Sequence, residues 1–369
     1  MLENSNVVAV ILAAGEGTRM RSNIPKVLHP ICGSPMIEHV LAAVEEAGIQ
    51  RRIAVIGHGQ SLVSDHLGER AEYVVQEDRK GTAHAVMMTR DKLADFSGDV
   101  LICCGDTPLL KGETLARLVE KRRISGAKAI VLTAELADPT GYGRILRDAL
   151  GRVIRVVEQK DCTPEEAEIS EVNTGVYCVE GKMLFDALDK VDNNNAQSEY
   201  YLPDVLQILA AQRFKVDGIP TPDATEMVGV NSRKQLANAG KIMRLRIVEQ
   251  LMQDGVTIVD PESTFIHRSV EIGRDTIIHP FTTIEGATQI GESCDIGPSV
   301  VIRDSRLGNS IAMEQSTVEH SVVEDDVRIR PFVVVGQGCT IGKGSKLNSF
   351  VELEDDTIPA DSTLAPSSV

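Results

Sequence analysis

Two hydrophobic rhythms divide the chain. In the first, short β-branched runs alternate with stretches of helical spacing. Val7–Leu12 is an unbroken apolar run of the length of a buried strand, and Met36–Ala47 follows with Ile37, Val40, Leu41 and Val44 on one helical face. Arg52–Ile56, Tyr73–Gln76 and Val100–Cys103 read as further strands, and Ser61–Leu67 and Lys111–Ile124 as helices. Later strands are expected at Ala129–Thr133, Arg144–Arg147 and Val153–Val157. Strands alternating with helices predict parallel pairing in a doubly wound, Rossmann-like sheet, whose ligands bind beyond the carboxyl ends of its strands.

Ser232–Gly255 holds no proline, has Leu236, Ile242, Leu245, Val248 and Leu251 at helical spacing, and ends on a glycine. It predicts one long connecting helix. Beyond it the second rhythm begins: isoleucine stands at 266, 272, 278, 284, 290, 296 and 302, a step of six. After an irregular patch near Leu307–Val323 the step resumes at Ile329, Val335, Ile341, Leu347 and Leu353. A strict six-residue repeat with small turn residues predicts a parallel β-helix, in which three short strands make a coil and each coil stacks on the last. The expected organisation is therefore an α/β domain over 1–231, a helix over 232–255 and a β-helix over 256–369.

Composition narrows the partners. The 369 residues carry a formal net charge of −16, and no basic cluster with interleaved aromatics offsets it, which argues against nucleic acid. The seven cysteines show no C-x-x-C spacing and read as buried small residues of a reducing compartment. No run is long enough to span a bilayer, and Glu3 precedes the Val7–Ala14 run where a signal peptide would be basic. A cytoplasmic protein is expected, with no membrane partner.

Chemistry concentrates after the first strand. Ala13-Ala14-Gly15-Glu16-Gly17-Thr18-Arg19 is a loop of small residues, with Pro25-Lys26 close behind. Such a loop lets backbone N–H groups approach phosphate oxygens, and Arg19 and Lys26 supply cations for a nucleoside triphosphate. A Walker loop would need Lys-Ser or Lys-Thr, and a dinucleotide fingerprint a third glycine where Met20 stands. A plain strand-to-helix turn would account for two glycines, but not for Thr18, Arg19, Pro25 and Lys26 as well. Asp106 follows an apolar strand, where a carboxylate can hold a magnesium ion against phosphates, or cap the next helix. Glu158 and Asn173 suit a sugar's hydroxyls in type, and the Gly141–Arg144 turn can offer it backbone donors.

The segments ILAAGEGTRM, PKVLHP, QEDRKGTAHAV, GDTPLL, GYGRI, VEQKD, EVNTGVY, NNNAQSEYYLPDV and GVNSR occur in this order and together resemble bacterial N-acetylglucosamine-1-phosphate uridyltransferases over the first 255 residues. A related cytidylyltransferase family shares the opening loop but not the NNNAQSEYYLPD block. The resemblance implies that Leu12, Ala13, Ala14 and Gly15 hold the uridine end, with Gln76, Gly81 and Thr82 completing the base pocket. It implies phosphate contacts for Arg19 and Lys26, Mg2+ ligation by Asp106 and by Asn231, which follows a strand-like Met227–Val230, and sugar contacts for Gly143, Glu158 and Asn173. Glu77-Asp78-Arg79-Lys80 departs from the family in being highly charged. UTP and a sugar-1-phosphate are the implied substrates, and the hexapeptide repeats imply a left-handed β-helix and a homotrimer.

In that family the β-helix also carries acetyl-coenzyme-A-dependent acetylation. Here Glu354 stands where a lysine is expected, the chain ends at Val369 before the family's later segments, and His267, His279 and His320 read as coil-surface residues. The expectation is a nucleotidyltransferase with an assembling β-helix. A pyrophosphorylase for glucose or another hexose, a hexapeptide acyltransferase, and a nucleotide-sugar-binding regulatory trimer are the other readings.

Overall fold

In the computed structural model, which describes residues 6–57 and 61–365, the chain forms two compact units. Residues up to 29 together with 35–239 make the first; 30–34 and those from 240 onward make the second. The division falls within the helix Arg233–Gln253, the long helix read between the two rhythms.

The first unit is built on a nine-stranded sheet. Its strands are β1 (Val7–Ala13), β2 (Arg51–Gly57), β3 (Glu72–Gln76), β4 (Asp99–Cys104), β5 (Ala129–Glu135), β6 (Arg144–Arg147), β7 (Val153–Val157), β8 (Glu171–Glu180) and β9 (Val216–Pro220). The spatial order is β9-β5-β8-β4-β1-β2-β3, with β6 beside β8 and β7 beside β6. β1 pairs in parallel with β2 on one side and β4 on the other, so Leu12 lies level with Val55 and with Cys104. β8 breaks the parallel pattern, running antiparallel to β4 and β5, and β6 and β7 continue from it as antiparallel neighbours. Val8, Ala9, Val10 and Ile11 are fully buried, as expected of a strand covered on both faces. Alternate β1 residues enter two cores: Val8 and Val10 pack with β2, β4 and later helices, Ala9 and Ile11 with the helix Met36–Glu46.

Two expectations need correcting. Met227–Val230 is not a strand: Ala224–Met227 is a short 3-10 turn, and the chain runs on irregularly to Asn231. What fixes that segment is a buried carboxylate. Glu226 accepts from the backbone N–H of Lys111 at 3.0 Å and from Thr114 Oγ1 at 2.9 Å, tying it to the start of the helix Gly112–Ser125. Asp106 is likewise not the cap of that helix, since Lys111 occupies the capping position.

From residue 257 onward the second unit is a left-handed parallel β-helix of three sheets, in which strands of successive coils pair in parallel. The isoleucines of the six-residue series face inward; Ile278, Ile284, Ile296 and Ile302 are wholly buried. Each such side chain contributes roughly 1.5–3 kcal/mol of burial, and every coil repeats it. The patch near Leu307–Val323 is no interruption. Leu307, Met313, Val318 and Val323 continue the inward column, Ile302 pairing with Val318 and Leu307 with Val323. Some sides are one residue shorter there, and the loss is taken up in the turns.

One helix of the first unit carries a group held against its preference. Asp204 begins the helix Asp204–Ala211, where the helix dipole favours a negative charge. Burial nevertheless pushes its carboxyl up to about 6, with Asp192 and Asp161 adding repulsion. The folded pKa lies above the unfolded one, so the stability tied to this group is complete below pH 3.8 and is lost as pH rises through about 6. Asp204→Asn should therefore raise Tm by about 2–5 °C at pH 8 and leave it unchanged near pH 4, checked by thermal melts across that range.

Candidate functional site

The carboxyl ends of β1, β3 and β4 meet at one edge of the first unit, and a cavity of about 240 Å3 opens there. Leu12 and Ala13 end β1 in its wall, and Ala14 and Gly15 continue the wall as loop. Gly17 sits at φ +65°, and a Cβ there would lie 2.6 Å from Lys26 Cβ. A side chain at that position would force Lys26 away from the cavity, which is why the second glycine of the loop is needed.

The opposite wall comes from β3 and the helix after it. Gln76 is buried at the end of β3; its amide donates to the carbonyl of Gly81 at 3.2 Å and meets His84 Nδ1 at 3.0 Å. Gly81 precedes the helix Thr82–Met87 at φ +113°, and a Cβ there would strike the Tyr200 backbone. Thr82 Oγ1 accepts from the Leu202 N–H at 3.1 Å, so the NNNAQSEYYLPD block packs directly behind this wall. The cavity thus holds a fixed amide side chain and glycine backbone facing a glycine loop.

Lys26 is nearly buried at 9% exposure and is the charged centre of the site. Its ammonium is ion-paired with Asp106 Oδ2 and donates to Asn231 Oδ1 at 2.9 Å. The backbone brings these acceptors together: the Val230 N–H donates to the Asp106 carbonyl at 2.9 Å, which sets Asn231 beside Asp106 although 125 residues separate them in sequence. A buried ammonium without such partners would be costly. Beside Asp106, burial pushes the Cys104 thiol up to about 12, so it stays protonated. Arg19 is exposed on the short turn Thr18–Met20 and is not among the residues lining the cavity.

Asp106 Oδ2 and Asn231 Oδ1 converge on one position of cation size, and both are hard oxygen donors. Among the described residues, no group of three or more His, Cys, Asp or Glu side chains could hold a metal by itself. Two protein oxygens completed by substrate phosphate and water suit a magnesium-like ion, which keeps much of its coordination outside the protein. The donor set fits.

The residues expected at a sugar lie together further along the edge. The Asn173 N–H donates to the Gly143 carbonyl at 2.8 Å, and a Cβ on Gly143 would lie 3.1 Å from Glu158 Oε1. Asn173 is the third residue of β8, where the register with β5 shifts between Asn173 and Tyr177. Its Oδ1 accepts from Tyr177 Oη at 2.9 Å and from the Gly175 N–H at 3.0 Å, which fixes the orientation of the amide. Glu158 lines a second cavity of about 360 Å3 with Asp161, Asn195, Tyr201 and Asp204. Burial, then Asp161 and Asp204, holds its carboxyl above the usual range.

Sequence reasoning missed Arg144, which is buried and reaches Gln159 Oε1 at 2.9 Å and the Ala167 carbonyl at 3.2 Å, anchoring the Gly141–Gly143 turn. A lone arginine after a glycine turn reads as surface; only its burial reveals the role.

Comparison with known proteins agrees with this architecture. Residues 8–219 match the nucleotidyl transferase family, and 269–304 and 320–355 match the bacterial transferase hexapeptide repeats. The bifunctional protein GlmU of Halalkalibacterium halodurans is 48% identical over 97% of this chain and 79% of its own length. That of Enterococcus faecalis is 44% identical over 96% and 77%. A UDP-glucose pyrophosphorylase solved with UDP-glucose shares the fold at 20% identity, with a TM-score of 0.53 over 64% of this chain and 97% of its own. With likeness of this degree running through both units, the chain belongs to the GlmU family, nucleotidyltransferases that carry a hexapeptide-repeat β-helix.

Proposed function

We propose that the chain transfers the uridylyl group of UTP to N-acetylglucosamine-1-phosphate, forming UDP-N-acetylglucosamine and pyrophosphate with Mg2+ as the cofactor. The observation that carries this is the meeting of Lys26, Asp106 and Asn231 beside a cavity walled by the glycine loop and by Gln76, Gly81 and Thr82. The base lies between those walls, read by the Gln76 amide and the Gly81 backbone, with Leu12, Ala13, Ala14 and Gly15 beneath the nucleoside. Lys26 binds the α-phosphate, and Arg19 reaches the triphosphate from its exposed turn. Asp106 and Asn231 hold Mg2+, which when bound neutralises phosphate charge. Gly143, Glu158 and Asn173 take the amino sugar.

An oxygen of the sugar phosphate attacks the α-phosphorus in line, the bond to the bridging oxygen breaks, and its electron pair leaves with pyrophosphate. The nucleophile is already ionised at neutral pH, so no protein base is required. What the residues supply is position and stabilisation of charge on the phosphoryl oxygens.

The β-helix assembles the chain as a homotrimer. Phe281, Phe332 and Phe350 stand exposed on its outside, and the last two stack with centroids 5.4 Å apart, an unusual amount of apolar surface to leave in water. Light scattering should give three times the 40.0 kDa chain mass; a monomer would exclude this assembly. The setting proposed is the cytoplasm, and no described helix is long and apolar enough to cross a membrane.

Lys26→Met should lower kcat by about a hundredfold or more, since it removes a cation from the developing charge. The same change should tighten Mn2+ binding to the nucleotide-free enzyme, followed by electron paramagnetic resonance, because the ammonium that shares Asp106 and Asn231 is gone. Unchanged turnover would remove Lys26 from the mechanism. For Glu158, the raised pKa means the carboxylate is lost early as pH falls, so KM for the sugar phosphate should climb at acid pH. Glu158→Gln should show a higher KM at neutral pH and a flatter acid limb, measured by pyrophosphate release; parallel profiles would place Glu158 outside the sugar site.

A further inference from the structure

The two walls of the nucleotide cavity are joined by one side chain. Arg79 belongs to the charged segment Glu77–Lys80, which follows β3 and leads into Gly81. Its Nε donates to the Ala14 carbonyl at 2.9 Å, and its Nη1 is ion-paired with Glu16. Arg79 itself lines the cavity. Ala14 and Glu16 flank Gly15, so both arms of the guanidinium grip the glycine loop across its most pliable residue.

Each wall also has bonds of its own. The glycine loop is followed by a tight turn, with Met20 N–H on the Gly17 carbonyl at 2.8 Å, while Gly81 is backed by Tyr200, whose N–H donates to the Lys80 carbonyl at 2.7 Å. Arg79 crosses between them. A planar guanidinium can serve a carbonyl and a carboxylate together because its donors are fixed in a fork; a lysine ammonium on a flexible stem does so less well. Glu16 is mostly exposed, so the ion pair is screened by solvent and the bond to the Ala14 carbonyl carries most of the effect.

We propose, resting on the nucleotide-site reading above, that Arg79 is a positioning residue for the nucleoside triphosphate. It latches the glycine loop to the base-binding wall, so that the two stand at the spacing the nucleotide needs before it arrives. Order installed in advance lowers the entropic cost of binding. A latch of this kind acts equally on bound substrate and transition state, so its loss raises KM for UTP and leaves kcat in place. The sugar-phosphate site, formed by β7, β8 and the Gly141–Gly143 turn, lies outside its reach.

The experiment is steady-state kinetics of Arg79→Met, Arg79→Lys and Glu16→Gln, with UTP binding to each free enzyme by calorimetry and thermal melts as a check of folding. Arg79→Met should raise KM and Kd for UTP about five- to tenfold, with kcat within twofold and KM for N-acetylglucosamine-1-phosphate unchanged. Arg79→Lys should recover part of the loss, and Glu16→Gln should cost about twofold. Equal UTP affinity in wild type and Arg79→Met overturns the latch, as does a fall in kcat at constant KM. If Arg79→Met does not fold, Arg79→Lys and Glu16→Gln decide by the same split, and normal affinity in both overturns the proposal. Failure of the wild type to bind UTP at all would instead count against the nucleotide-site reading.

Discussion

The parallel pairing of β1 with a neighbour on each side is the constraint on which the first unit depends. Parallel strands in register end together, so Leu12, Val55 and Cys104 reach the same edge of the sheet. Everything polar that the site uses is placed just beyond that line, where the apolar strands stop and the chain has to turn. The glycine loop, the Gln76–Gly81 segment and Asp106 are thereby neighbours without any direct link in sequence. The antiparallel β8 extends the same edge and brings in Asn173.

Charged groups gather around both cavities. Around the first cavity the buried Lys26 ammonium is met by Asp106 and Asn231, and the loop beside it is made of small residues. Around the second cavity burial, reinforced by neighbouring carboxylates such as Asp161, holds Glu158 and Asp204 above their ordinary pKa ranges. Both cavities mix charges: Lys26 and Arg79 stand with Asp106 and Glu199 in the first, and Arg155 and Lys190 with Glu158, Asp161, Asp192 and Asp204 in the second.

The β-helix obeys a simpler rule. Its core is one column of inward side chains per sheet, and a coil is tolerated as long as each side delivers one such residue. Leu307, Met313, Val318 and Val323 show that the rule concerns the inward position and not the spacing. A side shortened by one residue keeps the column and alters only the turn.

How much was legible in the sequence follows from which properties are local. Strand and helix positions, the glycine loop and the hexapeptide column are set by periodicity and by residue size, so they could be read directly. Arg144–Arg147 and Val153–Val157 appear with the ends expected of them. The irregular route to Asn231 was misread, because Met227–Val230 has the apolar content of a strand while its conformation is set by Glu226, buried against a helix more than a hundred residues away. Arg144 and Arg79 were invisible as anchors for the same reason. A charged side chain looks like surface until its partners are known, and those partners are backbone carbonyls or groups on other elements. The sequence by itself determined which elements form and which residue types stand at their ends. Only the tertiary structure decided that Lys26, Asp106 and Asn231 share one point, and that Arg79 joins two walls, because hydrogen bonds act over about 3 Å in space whatever the separation along the chain.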